Sequence, residues 1–214
     1  MPMIERFAAV LAERIREGLP GVEAHARMAP PSRTIRNFVP QDFPDARIGC
    51  VMLLLFPYQD HVGIVLIQRP DYDGVHGGQV SFPGGKMEAG DADAYAAALR
   101  ETEEETGVPA QNIAFIGKLS DVYIPPSNFF VHPFVGYVTE PPVFQPDPHE
   151  VASIITMPLS TLLEDTAHST MQIIRPNLSF ETPCYLYGEH RIWGATAIIL
   201  SELEVIVREK WFAQ

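Results

Sequence analysis

The chain has 214 residues, 46% of them hydrophobic, with 27 acidic side chains against 15 basic ones and a formal net charge of −12. That length suits one domain with room for a short appendage, and the apolar fraction can supply a sizeable core. An acidic chain with no basic stripe is ill suited to nucleic acid, whereas a phosphorylated small molecule stays open because bound metal ions invert the local sign of a site.

Residues 1–19 intersperse Arg and Glu with apolar side chains, which fits neither a signal peptide nor a membrane span. A cytoplasmic protein with no membrane partner is the expectation. Ile4, Phe7, Val10, Leu11 and Ile15 recur at helical spacing and predict an amphipathic helix over Met3–Glu17. Residues 19–45 are rich in Pro and polar side chains and read as an extended arm. The chain thus divides into a helix and arm (1–45) and a main domain (46–214). An apolar stripe tethered by such an arm invites a homodimer, or a cap over a substrate cleft.

Residues 48–56 and 62–68 are apolar runs separated by Pro57-Tyr58-Gln59-Asp60 and predict a hairpin. Residues 71–78 read as a Gly-rich loop and 79–82 as a short strand. A helix is predicted over 92–106, stopped by Gly107, with Tyr95, Leu99, Thr102 and Thr106 facing a sheet. Strands are predicted over 113–119, 129–138 and 151–156, then a short helix over 158–163. Further strands follow over 172–174 and 184–187, with a closing helix over 195–211 after Trp193-Gly194. Cys50 and Cys184 lie in apolar runs without metal-ligand spacing and read as buried, reduced thiols. Strands with interspersed helices suggest a mixed α/β or α+β sandwich.

The chemistry concentrates in one stretch. Gly84-Gly85-Lys86-Met87-Glu88-Ala89-Gly90-Asp91 leads to Arg100-Glu101-Thr102-Glu103-Glu104-Glu105-Thr106-Gly107-Val108. Glu101, Glu104 and Glu105 stand at i, i+3 and i+4 and share one helix face. Three like charges on one face repel, so helix stability does not explain them, whereas a hard divalent cation taking carboxylate oxygens and substrate phosphates does. Glu103 points away and reads as a solvated charge. Arg100, four residues before Glu104, is placed to orient that carboxylate through a salt bridge. Gly84 and Gly85 let the backbone turn tightly against the helix and bring a carbonyl to the metal. Asp91 is the favoured helix N-cap, with Asp93 competing for the same place. Glu104 and Glu150 are both candidates for the base that takes a proton from the attacking water.

This stretch resembles the Nudix box, the signature of Nudix hydrolases: Gly, five residues, Glu, seven residues, then Arg-Glu-apolar-x-Glu-Glu-x-Gly-apolar. Here Asp91 replaces the Glu, eight residues separate it from Arg100, and Thr102 replaces the aliphatic residue. The first two departures resemble the coenzyme A diphosphatase branch. Its upstream signature is similar to Leu66-Ile67-Gln68-Arg69 and to Gly78-Gln79-Val80-Ser81-Phe82-Pro83-Gly84-Gly85, while Pro70 and Gly74 depart from it. The stretches 127–135, Glu150-Val151, Pro158-Leu159 and 193–197 are also similar to that branch.

The resemblance implies a Nudix α/β/α sandwich with a mixed central sheet. It implies Mg²⁺ or Mn²⁺ held by Glu101, Glu105 and Glu104, with the Gly85 carbonyl. It also implies hydrolysis of coenzyme A or acyl-coenzyme A to the phosphopantetheine part and adenosine 3′,5′-bisphosphate. Arg69, His76 and Gln79 are the candidate substrate contacts, and Arg100, Glu104 and Glu150 the candidate catalytic groups. Of Phe82, Phe129, Phe130 and Trp193, at least three read as core rather than as platforms for adenine. Residues 123–126 are candidates to line an apolar channel. Hydrolysis of ADP-ribose or a dinucleotide, and nucleotide binding without catalysis, remain alternatives on the same fold.

Overall fold

The protein is described by a computed structural model covering residues 1–31, 33, 39–71, 77–175 and 178–211. Its centre is β1 (Arg47–Tyr58), buried on both faces through Cys50, Met52, Leu53, Leu54 and Leu55. Such a run suits a strand covered on two sides. β1 pairs antiparallel with β2 (His61–Gln68) across the predicted hairpin, with Gln59 at φ 53° in the turn. β2 pairs with β3 (Val80–Ser81) and with β8 (Ser153–Pro158). The short β4 (Gly84–Lys86) also pairs with β1. On its other side β1 runs parallel to β7 (Phe129–Tyr137), which carries β5 (Ala114–Lys118) and β6 (Val122–Ile124). A separate antiparallel sheet holds β9 (His168–Arg175), β10 (Leu178–Tyr187) and β11 (His190–Trp193).

Helices cover both faces of the mixed sheet, and strand alternation sorts the core between them. Cys50, Met52 and Leu54 join Ala97 and Ala98 of α3 (Ala94–Thr106) on one face. Leu53, Leu55, Ile64 and Leu66 join α1 (Met3–Glu17) and α4 (Gly194–Trp211) on the other. The small Ala97 and Ala98 let α3 approach the sheet closely, while Tyr95 and Leu99 pack at its margin. The expected α/β/α sandwich is the fold observed.

The N-terminal region departs from expectation. The arm is not simply extended: α2 (Val22–His25) and a 3₁₀ turn over Ala26–Met28 fold back on α4. Ser201 Oγ donates to the Ala24 carbonyl at 2.8 Å, and the Gly21 N–H donates to Glu202 at 2.8 Å. Ile4, Phe7, Leu11 and Met28 are buried in the same core as the sheet. The apolar stripe of α1 that invited a partner subunit or a cleft cap is therefore covered within the chain, against β5 and α4. Composition could not reveal this, because the contacts holding the segment lie about 180 residues away.

Other corrections are local. β9 and β10 are longer than the predicted 172–174 and 184–187, and the short helix after β8 is a 3₁₀ turn over Leu159–Leu163. Cys50 and Cys184 are free and buried, as expected, and burial pushes the Cys50 thiol up to about 12. No described helix is long and apolar enough to cross a membrane.

Candidate active site

The site forms where β4, the end of β2 and the last turns of α3 meet. Gly84 has φ 149°, and a Cβ there would lie 2.3 Å from the Cys50 carbonyl oxygen. Gly85 faces α3 so closely that a Cβ would stand 2.4 Å from the Glu101 carboxylate. Backbone conformation and the neighbouring backbone therefore require glycine at the first, whereas a side chain at the second would displace the Glu101 carboxylate. The buried Gly84 N–H donates to Glu105 Oε2 at 2.7 Å.

α3 begins with Asp93, not Asp91, as its N-cap. The Asp93 carboxylate accepts from the Ala96 N–H at 2.8 Å, satisfying one of the free amides of the first turn. Asp91 instead accepts from the Glu88 N–H at 2.8 Å and receives Arg100 at 3.0 and 3.1 Å. Its two oxygens thus clamp the arginine that follows on the helix. Gly107 ends the helix in the left-handed conformation, as expected. Glu103 is exposed and accepts from the Ala110 N–H, away from the other three acids.

Arg100 is the hub of the box. Besides Asp91 it meets Glu101 at 2.9 Å and Glu104 at 2.9 Å, the latter at the predicted i, i+4 spacing. Glu104 is largely exposed and turned to Arg100. Glu101, Glu105 and Glu150 converge instead, each offering an oxygen within 4.8 Å of the other two. Glu150 arrives from the loop before β8, where the Ala152 N–H donates to the Gln68 carbonyl at 2.8 Å. The structure thus brings a residue outside the box to two residues within it.

The electrostatics are those of an undercompensated acidic site. Glu105 is 1% exposed, and burial pushes its carboxyl up to about 7, with Glu101 and Glu150 adding to the rise. Arg69, 3.5 Å away, and the Gly84 N–H oppose it. Burial also raises Glu101, helped by Glu104 and Glu150 and opposed by Arg100. Arg69 makes a second contact, donating to the Gly84 carbonyl at 3.1 Å, so it sits between β4 and the carboxylates. The Arg69 N–H donates to the Gln79 carbonyl at 3.0 Å, which ties the other predicted substrate residue to the same strand end. His76 lies outside the described residues, as does Gly74.

A groove of about 510 Å³ adjoins this strand end, lined by Gln68, Gly78, Val80, Met171, Arg191 and Trp193 among others. Sequence reasoning missed it as a groove, because its far wall is supplied by the separate β9–β11 sheet. The signal available was Trp193-Gly194, an aromatic before a helix start. Phe82 and Phe130 are core, as expected, and Phe129 is half-buried with the Arg47 guanidinium 4.2 Å over its ring. Trp193 is the one of the four aromatics that lines the groove, and none of residues 123–126 does.

The acidic cluster fits a hard divalent cation. Its donors are all carboxylate oxygens, their like charge is not neutralised by the arginines beside them, and the Gly85 cradle leaves room where a side chain would intrude. Water alone offers no comparable compensation for a carboxylate as buried as Glu105.

Comparison with known proteins agrees with this geometry. The family model described as the NUDIX domain matches residues 47–178. A Citrobacter koseri protein named as an uncharacterized Nudix hydrolase, NudL, is 37% identical over 141 residues, covering 66% of this chain and 73% of the relative. The protein of the same name from Salmonella paratyphi B is 34% identical over 148 residues, covering 69% and 77%. Among solved structures, a MutT/nudix family protein from Enterococcus faecalis superposes with a TM-score of 0.53 at 17% identity, covering 83% of this chain and 67% of that one. A mutT/nudix family protein from Listeria innocua gives a TM-score of 0.51 at 18% identity, covering 78% and 98%. The matched span runs from β1 to the start of β10 and so contains every box residue described above. The chain belongs to the Nudix family and is a hydrolase acting on pyrophosphate bonds.

Proposed function

We propose that the substrate is coenzyme A or an acyl-coenzyme A, cleaved at its diphosphate to the phosphopantetheine part and adenosine 3′,5′-bisphosphate. The observation that carries the hydrolytic reading is the convergence of Glu101, Glu105 and Glu150 beside Gly85 and Arg69. The substrate reading rests on the Gly78–Gly85 stretch, which resembles the coenzyme A branch, and on the groove that Gly78 and Val80 line.

In this reading Glu101 and Glu105, with the Gly85 carbonyl and with Glu104 as a further candidate, hold Mg²⁺ or Mn²⁺. When bound, the cation neutralises the diphosphate and lowers the pKa of an attacking water. Glu150 takes the proton from that water, being the carboxylate that joins the cluster from a separate loop; Glu104 is the alternative base. Arg100 holds Glu101 and Glu104 in their rotamers through its clamp on Asp91. Arg69 places a guanidinium against the diphosphate, where two parallel N–H groups suit phosphate oxygens. Gln79 and His76 are the further proposed substrate contacts. The partner is thus a small molecule, and the chemistry requires no second subunit.

The test is product identification. The purified protein with Mg²⁺ or Mn²⁺ is offered coenzyme A, acetyl-coenzyme A, ADP-ribose, NADH and diadenosine polyphosphate, each with and without EDTA. Metal-dependent release of adenosine 3′,5′-bisphosphate from coenzyme A, faster than turnover of the others, is the expected result. Preference for ADP-ribose or a dinucleotide would overturn the substrate while leaving the hydrolase reading intact.

A further inference from the structure

The groove carries a positive group that the hydrolytic chemistry does not use. Arg191 stands on β11, exposed, and among the described residues no carboxylate lies within ion-pair distance of its guanidinium. This matters in a chain of net charge −12, in which Arg14, Arg27, Arg69, Arg100 and Arg208 all meet carboxylates. Register explains where it points. Arg191 pairs with Leu186 and Trp193 with Cys184, so these four side chains share one face of the small sheet. The opposite face, with Tyr185 and Ile192, is sealed in the core. Arg191 therefore flanks the half-buried Trp193 indole and the Cys184 thiol, on the face that walls the groove.

The groove and the carboxylate cluster meet at one strand end. Gln68 lines the groove and reaches the Gly78 carbonyl, whereas the next residue, Arg69, turns to Gly84 and Glu105. Ser153 also lines the groove, pairs with Gln68, and stands three residues after Glu150. A substrate whose diphosphate lies at Arg69 has its next portion directed over this strand end into the groove. Met171, Val80 and Trp193 offer that portion apolar and aromatic surface, and His190 adds a second potential donor beside Arg191. Glu189, exposed in the β10–β11 turn, is the one carboxylate among the lining residues.

We infer that Arg191 and Trp193 form a second anion subsite, selecting diphosphate substrates that carry an additional phosphate monoester on the nucleoside half, with the indole against the base. The inference rests on the proposed reading of the carboxylate site and adds the class of substituent that the enzyme distinguishes. A guanidinium suits a phosphate dianion, and an indole beside it suits a purine face.

The experiment compares substrates that differ only in that phosphate: coenzyme A with dephospho-coenzyme A, and NADPH with NADH. Each pair is measured on the wild type, Arg191→Ala and Arg191→Lys. The expected result is a lower KM for the phosphate-bearing member. Arg191→Ala should raise that KM on the order of ten- to a hundredfold, as for loss of a charged hydrogen bond. The KM of the phosphate-free member and both kcat values should stay unchanged, with partial recovery in Arg191→Lys. A binding measurement runs beside it: adenosine 3′,5′-bisphosphate, but not AMP, should quench Trp193 fluorescence in a Trp211→Phe background, and Arg191→Ala should abolish the difference. Equal KM values within both pairs in the wild type, or equal losses for both members in Arg191→Ala, overturn the subsite. Discrimination in the nicotinamide pair without turnover of coenzyme A would overturn the coenzyme A reading and leave the subsite standing. No turnover of either pair, with equal quenching by the two nucleotides, would overturn both.

Discussion

At the residue scale the site is a contest between burial and charge. Glu105 is almost wholly buried, yet among the described residues it receives only one backbone N–H and a guanidinium at 3.5 Å. Glu104, one residue earlier, is largely exposed and held by Arg100. The two acids therefore answer differently to the same substitution. Glu105→Gln should lower kcat by about two orders of magnitude or more, the scale seen when a group stabilising transition-state charge is removed. The melting temperature of the EDTA-treated protein should be unchanged or raised, because the amide oxygen still accepts from Gly84 and a buried charge is gone. Glu104→Gln should also lower kcat, but with little change in metal-free stability, since an exposed ion pair contributes little. Near-normal turnover in both variants would contradict the assigned roles, and a drop in the metal-free melting temperature of Glu105→Gln would contradict the electrostatic reading.

At the element scale, α3 shows which features were legible in the sequence. The helix, its Gly107 stop and the Arg100–Glu104 pair all follow from short-range spacing, which geometry fixes at three or four residues. The cap was misassigned because Asp91 and Asp93 are equally good acceptors on paper, and only the path of the chain from β4 decides which one reaches the first free amide. This gives a paired prediction. Asp93→Ala should cost about 1 kcal/mol, the usual worth of an N-cap, and lower the melting temperature by a few degrees while leaving kcat/KM near wild type. Asp91→Ala should lower kcat/KM more than stability, because it releases Arg100 from two hydrogen bonds and frees Glu101 and Glu104 to move. Thermal melts and steady-state kinetics on the two variants separate these effects, and the reverse pattern would return the capping role to Asp91. Other elements were illegible for comparable reasons. β4 is only Gly84–Lys86 and carries no apolar alternation, so its strand character comes entirely from pairing with β1. Glu150 had no periodic signal, and its place in the cluster depends on how β8 pairs with β2.

At the scale of the whole molecule, buried charge on α4 ties the N-terminal segment to the core. Glu202 is fully buried and receives the Ser120 N–H at 2.8 Å, the Ser120 hydroxyl at 2.7 Å and the Gly21 N–H, with His25 at 3.5 Å. Glu204, equally buried, meets Tyr185 at 2.6 Å and both Arg27 and Arg208 at 3.1 Å. Burial alone would raise Glu202, but His25 and Ser120 hold its carboxyl below the usual range. His132 and Lys118 do the same for Asp121 against the cost of burial. A depressed folded-state pKa stabilises the fold above the unfolded value, about 4, and that contribution is lost as pH falls through the folded value. Urea midpoints should therefore fall as pH drops below about 4. Glu202→Gln should be weaker at pH 7 and show a shallower loss in acid; an unchanged acid slope would contradict the role given to this carboxylate.

The same scale explains what the composition hid. A polar, Pro-rich N-terminal stretch looks like a tether, yet it is stapled to α4 by acids that hydropathy patterns count only as interruptions of an apolar helix. The active site is likewise a meeting of distant segments: α3 and the loop before β8 supply the carboxylates, and β4 supplies the backbone they pack against. The central claim is that this cluster holds the divalent cation on which hydrolysis depends. Calorimetric titration of Mn²⁺ into the purified protein tests it most directly, with Glu101→Gln, Glu105→Gln and Glu103→Gln titrated in parallel. The account predicts saturable binding by the wild type and by Glu103→Gln, and at least about tenfold weaker binding by the other two, as expected when a charged ligand is lost. Equal Mn²⁺ affinity in all four proteins would contradict it.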